Sequence, residues 1–138
     1  MWKVPIDGGD AVQIIDQTSA GLAISPDGKW IASAHFEPAD IKTAIYSVEG
    51  GEPHKILDIH TFYIRWTPDG RALAYLDDKN LSNMSIQTID GGSTKQLTDF
   101  KPGRVFSFAW SRDGKQLAIA RGSETKDVIL IRNFKDQQ

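Results

Sequence analysis

Three histidines, His35, His54 and His60, are the side chains of this 138-residue chain best suited to metal ligation or proton transfer. None of them forms a His-x-His or His-x3-His pair, the spacings that set two imidazoles on one side of a strand or helix. Cysteine is absent, so a zinc site would have to use histidine and carboxylates. Asp77-Asp78-Lys79-Asn80 offers oxygen ligands to calcium but lacks the glycine and acidic spacing of a calcium loop, and a solvated turn accounts for it. No Gly-x-Ser-x-Gly elbow is present to raise a nucleophilic serine. Ser93 follows Gly91-Gly92, and a turn explains those glycines. A phosphate loop of the Gly-x4-Gly-Lys type is also missing. These residues assign no catalytic group, no metal and no cofactor.

The elements that would position any site come from a repeat. Ser25-Pro26-Asp27-Gly28-Lys29 returns as Thr67-Pro68-Asp69-Gly70-Arg71 and as Ser111-Arg112-Asp113-Gly114-Lys115. The three glycines are equivalent, and the period is 42 and then 44 residues. Ahead of each turn, in Ala20–Ile24, Phe62–Trp66 and Phe106–Trp110, heavy apolar residues alternate with small or polar ones. That period of two marks a strand with one heavy face. Proline presets φ for a type I turn, aspartate bonds nearby backbone, and glycine takes the left-handed position of the bulge. A second strand follows (Trp30–Ala34, Ala72–Leu76, Gln116–Ala120), with Ala32, Ala74 and Ala118 at one repeat position, where small residues let a neighbouring sheet approach. A third strand (Thr43–Val48, Ser85–Ile89, Val128–Arg132) and a short fourth (Val12–Ile15, His54–Leu57, Lys95–Leu97) complete the unit. Acidic-Gly-Gly turns at Asp7, Glu49 and Asp90 close third strands, so Trp2–Ile6 reads as one as well.

A repeat of about 40–45 residues made of four short strands is the signature of a propeller blade. The fold is therefore all-β, a β-propeller segment of three four-stranded antiparallel blades. The repeats span approximately 18–58, 60–99 and 104–134, and residues 1–16 supply strands of a partial blade. Closed propellers use four to eight blades, and three leave two apolar faces uncovered. A twofold homodimer would make six, with Val12–Ile15 of one copy completing the last blade of the other and Trp2–Ile6 left without a slot. The other reading is a chain cut from a longer propeller.

The turn and the acidic-Gly-Gly signature resemble the TolB-like, WD-repeat-like β-propeller family over essentially the whole chain. The stretch from Phe108 to Phe134 is also similar to the last blade of propellers appended to bacterial serine/threonine kinases, although no kinase motif is present. The resemblance implies a bacterial source and a periplasmic or extracytoplasmic setting. Propellers of this family accompany hydrolase domains in prolyl-oligopeptidase-like enzymes, whose serine elbow is missing here.

Net charge is −2 and the isoelectric point near 5.9, which argues against a nucleic-acid groove. No apolar run reaches the roughly 18 residues of a membrane helix, and Met1–Asp10 has no signal-peptide pattern. Function then falls to the loops that share one face of the propeller: 16–19, 58–61 and 99–104, with 35–41, 77–83 and 121–126. The candidate ligand-binding residues on or beside that face are His60, Tyr63, Arg65, His35, Asp77, Arg104 and Arg121. Arg65 stands where the other repeats carry Ala23 and Ala109, and Tyr63 where they carry Gly21 and Ser107. Together with His60 they read either as a channel-mouth contact or as structural pairs within the blade interface. The expectation is a non-catalytic interaction or sensor module that binds a protein or peptide and pairs with itself. The alternatives are a small-molecule or carbohydrate-binding propeller, lyase-type at its furthest, and a purely self-assembling unit.

Overall fold

The computed structural model describes residues 1–77 and 79–125. Twelve strands and no helix are found among them. No helix there is long and apolar enough to cross a membrane. The N-terminal pair is β1 (Trp2–Lys3) and β2 (Val12–Gln13). The first blade is β3 (Ser19–Ile24), β4 (Trp30–Glu37), β5 (Asp40–Ser47) and β6 (Lys55–Leu57). The second is β7 (Tyr63–Trp66), β8 (Ala72–Asp77), β9 (Asn80–Thr88) and β10 (Lys95–Gln96). The third shows its inner pair, β11 (Arg104–Trp110) and β12 (Leu117–Gly122). Each sheet is an antiparallel meander in chain order. The third strand expected at Val128–Arg132 lies outside the described residues.

The repeated turn explains why the inner hairpins form. Asp27 Oδ1 accepts from Ser25 Oγ at 2.6 Å and from the Lys29 amide at 3.1 Å, while Ser25 Oγ accepts from the Trp30 amide at 2.9 Å. The second and third turns make the same bonds through Thr67 and Asp69 and through Ser111 and Asp113. Gly28 takes the left-handed position at φ 72°, which a side chain would disfavour. Arg112 in place of proline leaves this network intact.

The register gives every blade a heavy and a light face. Ala23 pairs with Ala32, Arg65 with Ala74 and Ala109 with Ala118 on the light faces. Ile24 pairs with Ile31, Trp66 with Leu73 and Trp110 with Leu117 on the heavy ones. The heavy face of the second blade (Ile64, Trp66, Leu73, Tyr75) packs on the light face of the first (Ala23, Ala32, Ile45, Leu57). Trp66 Nε1 donates to the Ala23 carbonyl across that junction at 3.0 Å. The third blade repeats the arrangement, with Phe108, Trp110, Leu117 and Ile119 over Ala74, Leu76 and Met84. Ala32 and Ala74 are fully buried, so the small residue at this position does set the blade spacing.

Two features mark the N-terminal side of the first blade, and the second differs from the sequence expectation that left Trp2–Ile6 without a slot. Burial along β3 is inverted: Ala23 is buried while Leu22 and Ile24 are 51% and 65% exposed. The cause is positional, since the inner half of the first blade's heavy face has no neighbouring sheet among the described residues. The N-terminal strands also have a slot. Trp2 and Lys3 pair antiparallel with Gln13 and Val12, and the Met1 ammonium donates to the Ile15 carbonyl at 2.6 Å. Ile14, Ile15 and Met1 pack on Ala44 and Tyr46, covering the outer half of that heavy face.

Candidate functional site

Two hairpins and one interblade link bring the loop face together. The β4–β5 turn is tight, with Glu37 paired to Asp40, so Phe36, Glu37 and Asp40 crowd one corner. The link from β6 to β7 is anchored by Ile59, which is 1% exposed and donates its amide to the Leu57 carbonyl at 2.8 Å. Burying Ile59 leaves its neighbours Asp58 and His60 on the outside. His60 therefore meets carboxylates on both ring nitrogens: Asp40 Oδ1 lies 3.0 Å from Nδ1 and Asp58 Oδ1 lies 3.1 Å from Nε2. Asp40 and Asp58 were not singled out from the sequence. The only signal for them was the Asp58-x-His60 spacing and the length of the β4–β5 turn, and neither reports a contact between loops 18 residues apart.

An open pocket of about 310 Å3 adjoins this cluster, lined by Phe36, Glu37, Asp40, Ile41, His60 and Lys79. Glu37 bonds Lys42 at 3.1 Å, and this carboxylate, helped by the field of Asp40 and Asp58, raises the Lys42 ammonium above its ordinary pKa. The corner therefore carries mixed charge with an acidic excess. Its apolar component spans both blades. Phe36 and Phe62 are 41% and 39% exposed, and their ring centroids are 6.1 Å apart. Aromatic rings of this kind supply contact area at low entropic cost when a partner covers them.

The other sequence candidates separate. Tyr63 and Arg65 share the exposed side of β7, as alternation requires. Arg65 donates from Nη1 to the Ile64 carbonyl at 2.7 Å, and among the described residues no ion pair joins it to a carboxylate. Among the described residues no hydrogen bond or ion pair joins Tyr63 or Arg65 to His60. His35 lies within β4 rather than opening a loop, and its Nδ1 is 2.8 Å from the Tyr46 hydroxyl. That hydroxyl is pushed above its usual pKa by burial. His54 stays on the outer rim, tilted against Trp30 with centroids 4.8 Å apart. Asp77 ends β8, and its carboxylate accepts from the Lys79 amide at 2.9 Å, the solvated turn expected there. Asp78 lies outside the described residues.

Arg104 and Arg121 form a second group, on the third blade. Arg104 reaches Glu124 at 3.3 Å and lies 5.6 Å from the centroid of the Phe106 ring. Arg121 donates to the Pro102 carbonyl at 2.6 Å and covers the Phe100 ring at 4.4 Å. Both guanidiniums are thus held on aromatic faces at the loop end of β11 and β12. The loop face carries two aromatic–charged corners, one at the first junction and one on the third blade.

A group of three potential metal ligands is formed by Asp40, Asp58 and His60, whose donor atoms lie within 4.8 Å of one another. A neutral imidazole carries one N–H, so the ring donates to both carboxylates only when protonated, and Lys42 and Lys79 stand close by. In that state the arrangement is a hydrogen-bonded clamp that fixes the β6–β7 link to the β4–β5 turn.

The comparisons with known proteins agree with this architecture. The crystal structure of TolB from Acinetobacter baumannii superposes with a TM-score of 0.59 at 20% identity, covering 86% of this chain and 29% of that one. The chain thus has a TolB-like β-propeller fold. Two curated proteins are similar in sequence. An uncharacterized peptidase, YuxL, of Bacillus subtilis is 37% identical over 57 residues, 40% of this chain and 8% of the relative. Dipeptidyl-peptidase 5 of Porphyromonas endodontalis is 31% identical over 127 residues, 85% of this chain and 17% of the relative. The chain therefore spans less than a fifth of the curated relatives it matches. No protein-family model matches it.

Proposed function

We propose that this TolB-like propeller segment is a non-catalytic interaction module that binds a peptide through its loop face. The observation that carries the reading is the exposed Phe36–Phe62 pair bridging two blades beside the His60 clamp and its pocket. An aromatic anchor flanked by fixed charge recognises an extended chain by one side chain and its neighbouring polar groups. The peptidase names of two relatives favour peptides as the ligand class. The lack of a hydrogen bond or ion pair between His60 and Tyr63 or Arg65 among the described residues favours binding over a lyase-type channel chemistry.

The test is a peptide array probed with the wild-type chain and with Phe36→Ala, Phe62→Ala and Asp58→Ala. Losing an aromatic anchor should weaken the selected peptides at least about thirtyfold, the effect of a 2 kcal/mol hot spot. Binding that survives all three substitutions would place the ligand elsewhere.

A further inference from the structure

The two contacts of the His60 ring are not alike. Asp40 Oδ1, 3.0 Å from Nδ1, also accepts from the Ile41 amide at 2.8 Å, so this oxygen is held in place by its own turn. Asp58 Oδ1, 3.1 Å from Nε2, accepts from no other donor among the described residues, and the Asp58 side chain is 83% exposed against 42% for Asp40. A neutral imidazole has one N–H to give. The fixed, more enclosed acceptor is Asp40, which places the proton on Nδ1. The Nε2 lone pair then faces a carboxylate oxygen on the open side of the corner. Two acceptors at that separation repel each other unless a cation lies between them.

The cation has a suitable seat. Metal-bound histidine nitrogen and carboxylate oxygen both stand about 2.0–2.2 Å from a zinc ion. With those bond lengths, donor atoms 3.1 Å apart subtend an angle of about 95° at the ion, between the octahedral and tetrahedral values. The chelate is stiff, because Ile59 is buried between the two ligands and anchors the link that carries them. A ligating histidine whose other N–H is held by a carboxylate is the usual support of such a centre, and Asp40 supplies it. The charge also fits. Glu37, Asp40 and Asp58 face Lys42 and Lys79, which leaves one negative charge in excess when the ring is neutral. Lys42 is engaged by Glu37, and among the described residues no ion pair joins either lysine to Asp40 or Asp58.

We propose that His60 Nε2 and Asp58 chelate a divalent first-row transition ion such as zinc, with Asp40 as the positioning residue that fixes the imidazole tautomer. The nitrogen ligand selects a transition ion over calcium or magnesium, which prefer oxygen. Two protein ligands leave the remaining coordination positions to water. The proton of the clamp and the ion are alternatives at Nε2, so the same corner is closed by either. The inference does not rest on the peptide reading, since its test uses the metal alone.

The experiment is isothermal titration calorimetry of the untagged 138-residue chain with zinc, and separately with magnesium, at neutral pH. One zinc ion per chain should bind, and magnesium should not compete with it. Asp40→Ala should raise the zinc dissociation constant about tenfold to a hundredfold, and His60→Ala and Asp58→Ala at least as much. Asp40→Asn keeps an acceptor oxygen for the Nδ1–H and should restore most of the affinity. His54→Ala, which alters an exposed histidine on the outer rim, should change nothing. Circular dichroism checks that each variant is folded, and His60→Gln takes the place of His60→Ala should that one not fold. No zinc uptake, equal binding of magnesium, an affinity unmoved by the His60 and Asp58 substitutions, or a loss that follows His54 would each overturn the proposal. An Asp40→Asn chain as weak as Asp40→Ala would overturn the part given to Asp40.

Discussion

Gly21 and Gly28 have nearly the same backbone conformation, φ 63° and φ 72°, but different surroundings, and this makes a controlled measurement possible. A Cβ on Gly28 would meet nothing within 4 Å, so Gly28→Ala isolates the left-handed backbone cost, about 1–2 kcal/mol. A Cβ on Gly21 would stand 2.4 Å from the Phe62 carbonyl oxygen and 2.9 Å from its carbon. Those atoms belong to the backbone of the next blade, so relief requires moving one blade against the other. Forced shifts of that kind cost about 1–3 kcal/mol, and Gly21→Ala should lose about 2–5 kcal/mol in all. That is a large part of a typical domain's stability. Urea denaturation followed by tryptophan fluorescence measures it, with the Gly21→Ala midpoint displaced by roughly 1 M below that of Gly28→Ala. Equal losses for the two variants would refute the close approach of β3 to the Phe62 backbone, and with it the blade spacing described here. Because Phe62 is also the aromatic anchor proposed on the loop face, Gly21→Ala should weaken peptide binding while Gly28→Ala leaves it unchanged.

Acid should destabilise the fold through its three turns. Hydrogen bonds from Ser25, Thr67 and Ser111, and then from the following backbone amides, hold the Asp27, Asp69 and Asp113 carboxyls below their ordinary pKa. A carboxyl with a depressed folded pKa contributes stability that is present above its unfolded pKa and lost as pH falls through the folded one. Stability should therefore be flat above about pH 5 and fall below about pH 4. Asn at all three positions should flatten that slope in denaturant titrations run at successive pH values. The two junction tryptophans should respond differently to phenylalanine. Trp66→Phe leaves the Ala23 carbonyl without its donor and should cost about 1–3 kcal/mol. Trp110→Phe should cost less, because its Nε1 is buried with no partner among the described residues. Differential scanning calorimetry of the two variants separates these outcomes, and a larger loss for Trp110→Phe would contradict the account.

Much of the architecture was legible because the chain states it three times. The turn at Gly28, Gly70 and Gly114 fixed the phase, and alternation around it placed the strands to within a few residues. Burial was less legible. Leu22 and Ile24 are the repeat equivalents of Ile64 and Trp66, yet they are exposed, because burial depends on a neighbour that periodicity cannot supply. The site was legible only as a face. His60 was identified from its place in the repeat, but its partners Asp40 and Asp58 depend on how one hairpin leans on the next link. Tyr63 and Arg65 share a side with each other, as alternation demands, yet neither joins His60. Contacts across loops are set by chain packing rather than by spacing, and no repeat rule specifies them.

The separation of the apolar interior into one cluster between the first and second blades and another between the second and third has a consequence for how the chain tolerates change. Cohesion is shared only between adjacent units, as in a one-dimensional lattice. Among the described residues only the second blade has both faces occupied, and β8 is its most enclosed strand. A lesion at one junction is therefore felt by two units and not by the third. Such a chain becomes more robust by adding units rather than by improving any one of them, and the loops at each end can diverge without disturbing the middle.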